Sequence, residues 1–213
     1  MPTTTFLNLA EEKQNNIIEA SLKEFKRVLL KDASINKIIK DANIPRGSFY
    51  NYFEDINDLY VYSIGKYKSD FIKILEQSLE EKKGDLIETT IIIYDKIIQN
   101  WTKDENKQLI KNIFLNLNYN ILIKNKLECE QYNDRFKLIE LLEKIDKTKL
   151  NIKLEEELLY IIDIIIGFIM HGFIEIFLDN KEPSEIRTKI EKQLEILKRG
   201  IYKEAKWKYS LDI

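Results

Sequence analysis

Residues Ser34–Phe53 read SINKIIKDANIPRGSFYNYF, and their spacing describes two short helices joined by a tight turn. In the first helix Ile35, Ile38, Ile39 and Ala42 recur at helical intervals and form one apolar face. Ser34 stands at the N-cap position, where a hydroxyl can accept an orphan backbone N–H. Asn43 falls at the turn, and asparagine tolerates the positive φ that ends a helix there. Pro45 follows, placed to open a second helix without losing a needed N–H. Phe49 and Phe53, four apart, turn one face of that helix toward a core. Arg46, Ser48, Asn51, Tyr50 and Tyr52 are left for the outside. A buried seam beside an exposed, basic and hydroxylated helix start is the division a helix-turn-helix needs to enter a DNA groove.

Upstream, Asn8 with Glu11 three residues on predicts a capping box and a first helix from about residue 8. Ile18, Leu22, Phe25 and Leu29 follow as its packing stripe, and Lys31-Asp32-Ala33 break it. Downstream, Asp55 is placed to cap a long helix running toward Leu79, with Asp58 in its first turn. Gly84 is the clearest interior break. The domain boundary is therefore expected inside that helix, giving a head over residues 1–60 and a body over 61–213. The body reads as helices near 85–101, 105–127, 129–146, 154–179 and 183–206, with Pro183 in the first turn of the last. Ile186, Ile190, Leu194, Leu197 and Ile201 form that helix's stripe. The whole is an all-α fold: a three-helix DNA-binding head and a larger helical body.

Composition narrows the classes. The chain has 213 residues, six Gly and three Pro, which disfavours a turn-rich all-β fold. A single cysteine, Cys129, allows no intrachain disulfide and suits a reducing cytoplasm. No signal-peptide pattern opens the chain, which points to a cytoplasmic protein. The most apolar run, Leu158–Leu178, contains Asp163, His171 and Glu175 and reads as a buried or interfacial helix rather than a membrane span. Net charge is −2, but residues 1–53 hold eight Lys or Arg against six Asp or Glu, and the remainder twenty-six against thirty. The head is thus mildly basic and the body mildly acidic. No Ser-His-Asp order, glycine-rich phosphate loop or metal-ligand spacing stands out, so neither an enzyme, a cofactor nor a metal site is expected.

The segment ASINKIIKDANIPRGSFYNYFEDINDL resembles the DNA-binding signature of the tetracycline-repressor (TetR) family of bacterial transcription regulators. That pattern is a Thr or Ser opening, an Ala-Gly-Val-Ser-like turn, a basic residue, Gly, Thr or Ser, Phe, Tyr, a variable residue, an aromatic or His, and Phe. Ser34, Ala42 to Pro45, Arg46, Gly47, Ser48, Phe49, Tyr50, Asn51, Tyr52 and Phe53 stand at those positions. The resemblance covers about the first sixty residues; beyond them only length and helical character match. Asn43 and Pro45 replace the usual Gly and Ser or Thr, and Leu29 a common glycine. Glu54, Asp55 and Ile56 stand where relatives often carry a phosphate-binding Lys, which predicts weaker non-specific DNA affinity.

The resemblance implies a ligand-responsive regulator, a repressor, acting as a homodimer on double-stranded DNA. The expected DNA-binding residues are Ser34, Pro45, Arg46, Gly47, Ser48, Tyr50, Asn51 and Tyr52. Arg46 is placed to bond guanine O6 and N7 together, or alternatively to meet a phosphate. Gly47 lets the helix backbone approach closely. Ser34, Ser48, Tyr50 and Tyr52 suit phosphates, and Asn51 suits adenine or water. A small apolar or aromatic effector is expected in the body, with Tyr94, Trp101, Phe114, Tyr119 and Phe168 as candidate lining and His171 as polar contact. The competing reading makes these aromatics plain core and His171 a packing histidine. Dimerisation is expected through the last two long helices, because Leu159, Ile162, Ile166 and Ile169 leave a second apolar face beside Ile161, Ile164, Ile165 and Phe168. The alternative function is a helical small-molecule or protein-binding module without specific operator recognition.

Overall fold

The computed structural model describes residues 1–116 and 140–202, and within them helices dominate and no strand forms. The helices are α1 (Thr4–Leu7), α2 (Glu11–Arg27), α3 (Ile35–Asp41), α4 (Arg46–Tyr52), α5 (Ile56–Glu81), α6 (Leu86–Trp101), α7 (Asp104–Asn116), α8 (Glu155–Phe177) and α9 (Pro183–Ile201). The chain divides into two compact units. Residues 1–72 and 100–116 belong to one, and residues 73–99 and 140–202 to the other. The first unit contains the helix-turn-helix and is called the head; the second is called the body. The division cuts α5, which runs unbroken past residue 60, and adds α7 to the head.

Helix begins earlier than the sequence suggested. Asn8 does not cap α2. It ends the short α1, and α2 starts at Glu11 behind Ala10 with no side-chain cap. Phe6 explains the extra turn of helix, because its ring is fully buried against Phe53 at 4.7 Å and Tyr62 at 5.3 Å. The inner face of α2 also lies one step from the predicted stripe. Ile17, Ala20, Ser21, Glu24 and Phe25 are buried, whereas Ile18 and Leu22 pack at the margin.

Two polar contacts make that shifted seam workable. Ser21 Oγ lies 2.7 Å from Ser63 Oγ, joining α2 to α5. Glu24, buried among apolar groups, is clasped by Arg27 through two hydrogen bonds of 2.7 and 2.8 Å and accepts the Ser34 N–H at 3.0 Å. The Arg27 guanidinium holds the Glu24 carboxyl below its ordinary range, although burial opposes it. The start of α3 is therefore satisfied by Glu24 and not by the Ser34 hydroxyl, which makes no capping bond.

α7 is held to the same unit by amides. Asn112, buried, donates from Nδ2 to Phe25 O at 2.8 Å, Lys26 O at 3.0 Å and Val28 O at 3.3 Å. These carbonyls lie at the end of α2, where no further turn exists to receive them. Asn116 Oδ1 accepts from Leu30 N at 3.2 Å.

In the body, Gly84 has φ +75°, and a Cβ there would sit 2.4 Å from Lys144 O. Only glycine fits both constraints. Asp85 then caps α6 by accepting from Glu88 N at 3.0 Å, and also receives Tyr202 Oη at 2.9 Å and Lys149 Nζ at 3.3 Å. Burial opposes ionisation, but these donors outweigh it and hold the carboxyl below its usual value. α8 and α9 pack closely at Gly172, where a Cβ would meet Ile190 Cδ1 at 2.8 Å. Ile186, Ile190 and Leu194 form the buried stripe of α9, as its spacing predicts. Pro183 opens that helix as expected.

Candidate nucleic-acid interface

The turn between α3 and α4 fixes the candidate site. Asn43 adopts φ +51°, Ile44 N donates to Ile39 O at 3.0 Å and Asn43 N to Lys40 O at 3.2 Å. This is the Schellman closure of a helix, with Ile44 buried in the head core and Ile39 packed against that core. Pro45, extended at φ −62° and ψ 148°, is the N-cap residue and leaves Arg46 to begin α4. Phe49 and Phe53 are fully buried, so the opposite side of α4 is committed to solvent.

That outer side presents Arg46, Gly47, Tyr50 and Asn51 as exposed residues, with Ser48 half-buried between them. Beyond its chain neighbours and the helix's own backbone, nothing lies within 4 Å of the place a Gly47 side chain would fill. Tyr50 stands edge-on to Phe49 at 5.2 Å and keeps half its surface in water. Arg46 donates from a terminal guanidinium nitrogen to Asn36 Oδ1 at 2.7 Å. Ser34 is half-buried with its hydroxyl uncommitted to a cap.

Tyr52 departs from expectation. It is buried, with Phe6 packed edge-on at 6.0 Å and the Lys13 ammonium 6.0 Å from its ring. Alternating positions on a seven-residue helix did not reveal that α1 would cover this side. α3 contributes more than sequence reasoning assigned, since Asn36, Lys37 and Lys40 are all exposed. They are the polar half of the stripe that buries Ile38. α4 is also gripped at its far end. Thr3 donates from Oγ1 to Asn51 O at 2.7 Å and from its backbone N to Tyr52 O at 2.9 Å.

The candidate effector residues separate. Trp101 and Phe114 meet edge-on at 6.2 Å in the head. In the body Tyr94 stacks on Phe173 at 5.8 Å and donates its hydroxyl to Pro183 O at 3.2 Å. Burial pushes the Tyr94 hydroxyl up to about 12, with Asp95 adding to the rise, so it serves only as a neutral donor. Phe168 is half-buried on α8. His171 is exposed, neither packed nor enclosed, with Nδ1 3.2 Å from Glu175 Oε2. Tyr119 and Cys129 lie outside the described residues. Among the described residues no cluster of His, Cys, Asp or Glu could hold a metal ion.

The outer face of α8 is open. Leu159, Tyr160, Ile164, Ile166 and Ile174 are all at least 39% exposed. The inward face is Leu158, Ile161, Ile165, Phe173, Ile176 and Phe177. Apolar residues on both sides were expected; the structure places Ile161 and Ile165 inside, and Leu159 and Ile166 outside.

A family model described as the tetracyclin repressor-like, C-terminal domain matches residues 85–201, more than half of the chain. The resemblance is thus not confined to the first sixty residues. No curated protein matches. Among solved structures, one from Mesorhizobium loti MAFF303099, named for the TetR family of transcriptional regulators, is similar at TM-score 0.62 and 14% identity, over 90% of this chain and 97% of that one. A TetR-like transcriptional regulator from Rhodococcus sp. RHA1 is similar at TM-score 0.56 and 15% identity, over 91% and 98%. A TetR family transcriptional regulator from Chloroflexus aurantiacus J-10-FL shares 25% identity over 95% and 99%, at TM-score 0.49. The likenesses to the Mesorhizobium and Rhodococcus structures speak for the fold, and the family model for descent: the chain belongs to the tetracycline-repressor (TetR) family of transcriptional regulators.

Proposed function

We propose that this regulator is a repressor that binds a near-palindromic operator as a homodimer and leaves it when a small apolar or aromatic molecule binds. The observation that carries the DNA reading is the outer side of α3 and α4. Arg46, Gly47, Tyr50 and Asn51 are exposed there on helices whose other sides are fully used in packing. In this reading α4 lies in the major groove. Arg46 reads a guanine, Gly47 permits close approach, and Ser34, Ser48 and Tyr50 meet phosphates. Pro45 sets the entry of α4. Asn51 reads adenine or faces water. Tyr52 is withdrawn from the set because the protein's own core occupies its ring.

The open face of α8 supports the dimer. With α9 beside it, two copies would form an isologous four-helix contact. By length and composition α8 could cross a membrane, and little of its most apolar stretch is buried; Asp163, His171 and Glu175 along it fit a contact with its own copy better than a lipid interior. The cytoplasm is the expected compartment. Tyr94 and Phe168, both in the body, are the candidate effector contacts.

Selection from fragmented genomic DNA tests the reading. It should enrich palindromes whose half-sites lie about 34–36 Å apart, or a multiple of this, with affinity falling as salt rises. Recovery of no common sequence would favour a binding module without operator recognition. Hydrophobic compounds that raise the melting temperature should then be tested for release of the enriched DNA.

A further inference from the structure

We infer that Asn36, on α3, is a specificity-determining residue that acts through Arg46, holding one arm of the guanidinium so that its other edge faces a base. The inference rests on the DNA-binding reading and adds a residue to it. Asn36 lies in the first turn of α3 and is exposed, so packing does not account for it. Its Oδ1 receives Arg46 Nη1 at 2.7 Å. The pair spans a turn closed by two backbone hydrogen bonds and by Asn43 at positive φ. The separation of the two side chains is therefore set by the fold.

The chemistry fits a single role. A guanidinium carries five N–H donors in one plane, and reading guanine needs two adjacent donors on one edge. Engaging Nη1 leaves the edge formed by Nε and Nη2 complete. A free arginine side chain samples many rotamers, and much of that freedom is lost on docking. A partner that holds the guanidinium beforehand lowers that loss and narrows the directions the free edge can take. The partner is also neutral. Among the described residues no carboxylate pairs with Arg46, so its full charge stays available to DNA. An amide is the acceptor that orients the guanidinium without cancelling it.

The test is a double-mutant cycle on an operator enriched by the wild-type protein. Wild type, Asn36→Ala, Arg46→Ala and the double variant are titrated against that operator, and against copies in which each guanine in turn is replaced by 7-deazaguanine. Asn36→Ala should reduce the preference for one guanine roughly three- to tenfold, the worth of one hydrogen bond, and leave non-specific binding unchanged. In the Arg46→Ala background the same substitution should change nothing. Asn36→Asp keeps an acceptor in place, so it should keep the guanine preference while weakening binding to all DNA. Additive losses, or an Asn36→Ala loss equal on every sequence, would overturn the couple and leave operator binding intact. An Arg46→Ala variant that retains every guanine preference would overturn the couple together with the base-reading role of Arg46. Failure to enrich any operator would remove the reading beneath both.

Discussion

The head and the body solve burial differently. In the head, Phe6, Phe25, Phe49 and Phe53 are each covered almost completely, and buried polar side chains find partners in Asn112, Glu24 and the Ser21–Ser63 pair. In the body, α8 covers one side with Ile161, Ile165 and Phe173 and leaves Leu159, Tyr160, Ile164 and Ile166 about half in water. Covering the rest of one such side chain is worth roughly 1 kcal/mol. The head buries its aromatic core within one chain and exposes apolar residues such as Leu7 and Val61 along it, whereas α8 exposes a run of them on a single helix, the face expected to meet a second copy. A charge should therefore act on the two units in different ways.

The largest expected effect breaks the contrast at α8. Ile166→Asp should abolish dimer formation, since an unpaired carboxylate trapped in each half of an apolar contact costs several kcal/mol. Val61→Asp is the head control, at a position 57% exposed. Sedimentation velocity at micromolar concentration should show monomer for the first and dimer for the second. Equal behaviour of the two variants would mean that the α8 face is not special.

Next is the head core. Phe6→Ala should destabilise by about 3–5 kcal/mol, the usual cost of removing a buried phenyl ring. Chemical denaturation followed by aromatic fluorescence would report it, and the loss should be the same in dimer and in the monomeric Ile166→Asp background. Asn112→Ala sharpens the same point at lower cost. It strips three carbonyls at the end of α2 of their donor, for about 1–3 kcal/mol, without altering sedimentation. An unfolding midpoint within error of wild type would show that water replaces the amide there.

The smallest effect concerns pH. Glu24 has its carboxyl held below the ordinary 4.5 chiefly by Arg27. A depressed acid contributes stability that is present above its unfolded value and lost as pH falls through the folded one. The head should therefore weaken below about pH 4.5, and Glu24→Gln should flatten that part of the profile. An unchanged slope would remove Glu24 from the account.

The helix-turn-helix was legible because its signals are local. Ile38, Asn43, Pro45, Phe49 and Phe53 act within twenty residues, at helical spacing or at a turn with its own backbone demand. The starts of α6 and α9 were legible for the same reason, through Gly84 and Pro183. What the sequence concealed is non-local. Asn112 meets carbonyls 84 to 87 positions away, and Thr3 meets Asn51 48 positions away. No periodicity marks such partners. Glu24 carries no local signal of burial, and its burial depends on Arg27 and Ser34 together. Tyr52 was misplaced because a helical wheel shows two sides of α4 and not the segment that covers one of them. His171, read as a packing or pocket residue among Phe168 and Phe173, points outward from the same helix.

The grip of Thr3 on α4 has a kinetic side. A seven-residue helix is too short to persist alone in water, so α4 depends on the rest of the head for its order. Part of that support comes from a contact that closes a loop of 48 positions, an entropic cost met before Phe6 can be buried. α1 should accordingly dock together with α4 and not ahead of it. Amide exchange offers a direct reading. The Thr3 N–H, bonded to Tyr52 O, should exchange as slowly as that of Phe53, in step with opening of the whole head. Exchange of Thr3 at the rate of a free peptide would show that the brace opens and closes while α4 stays in place.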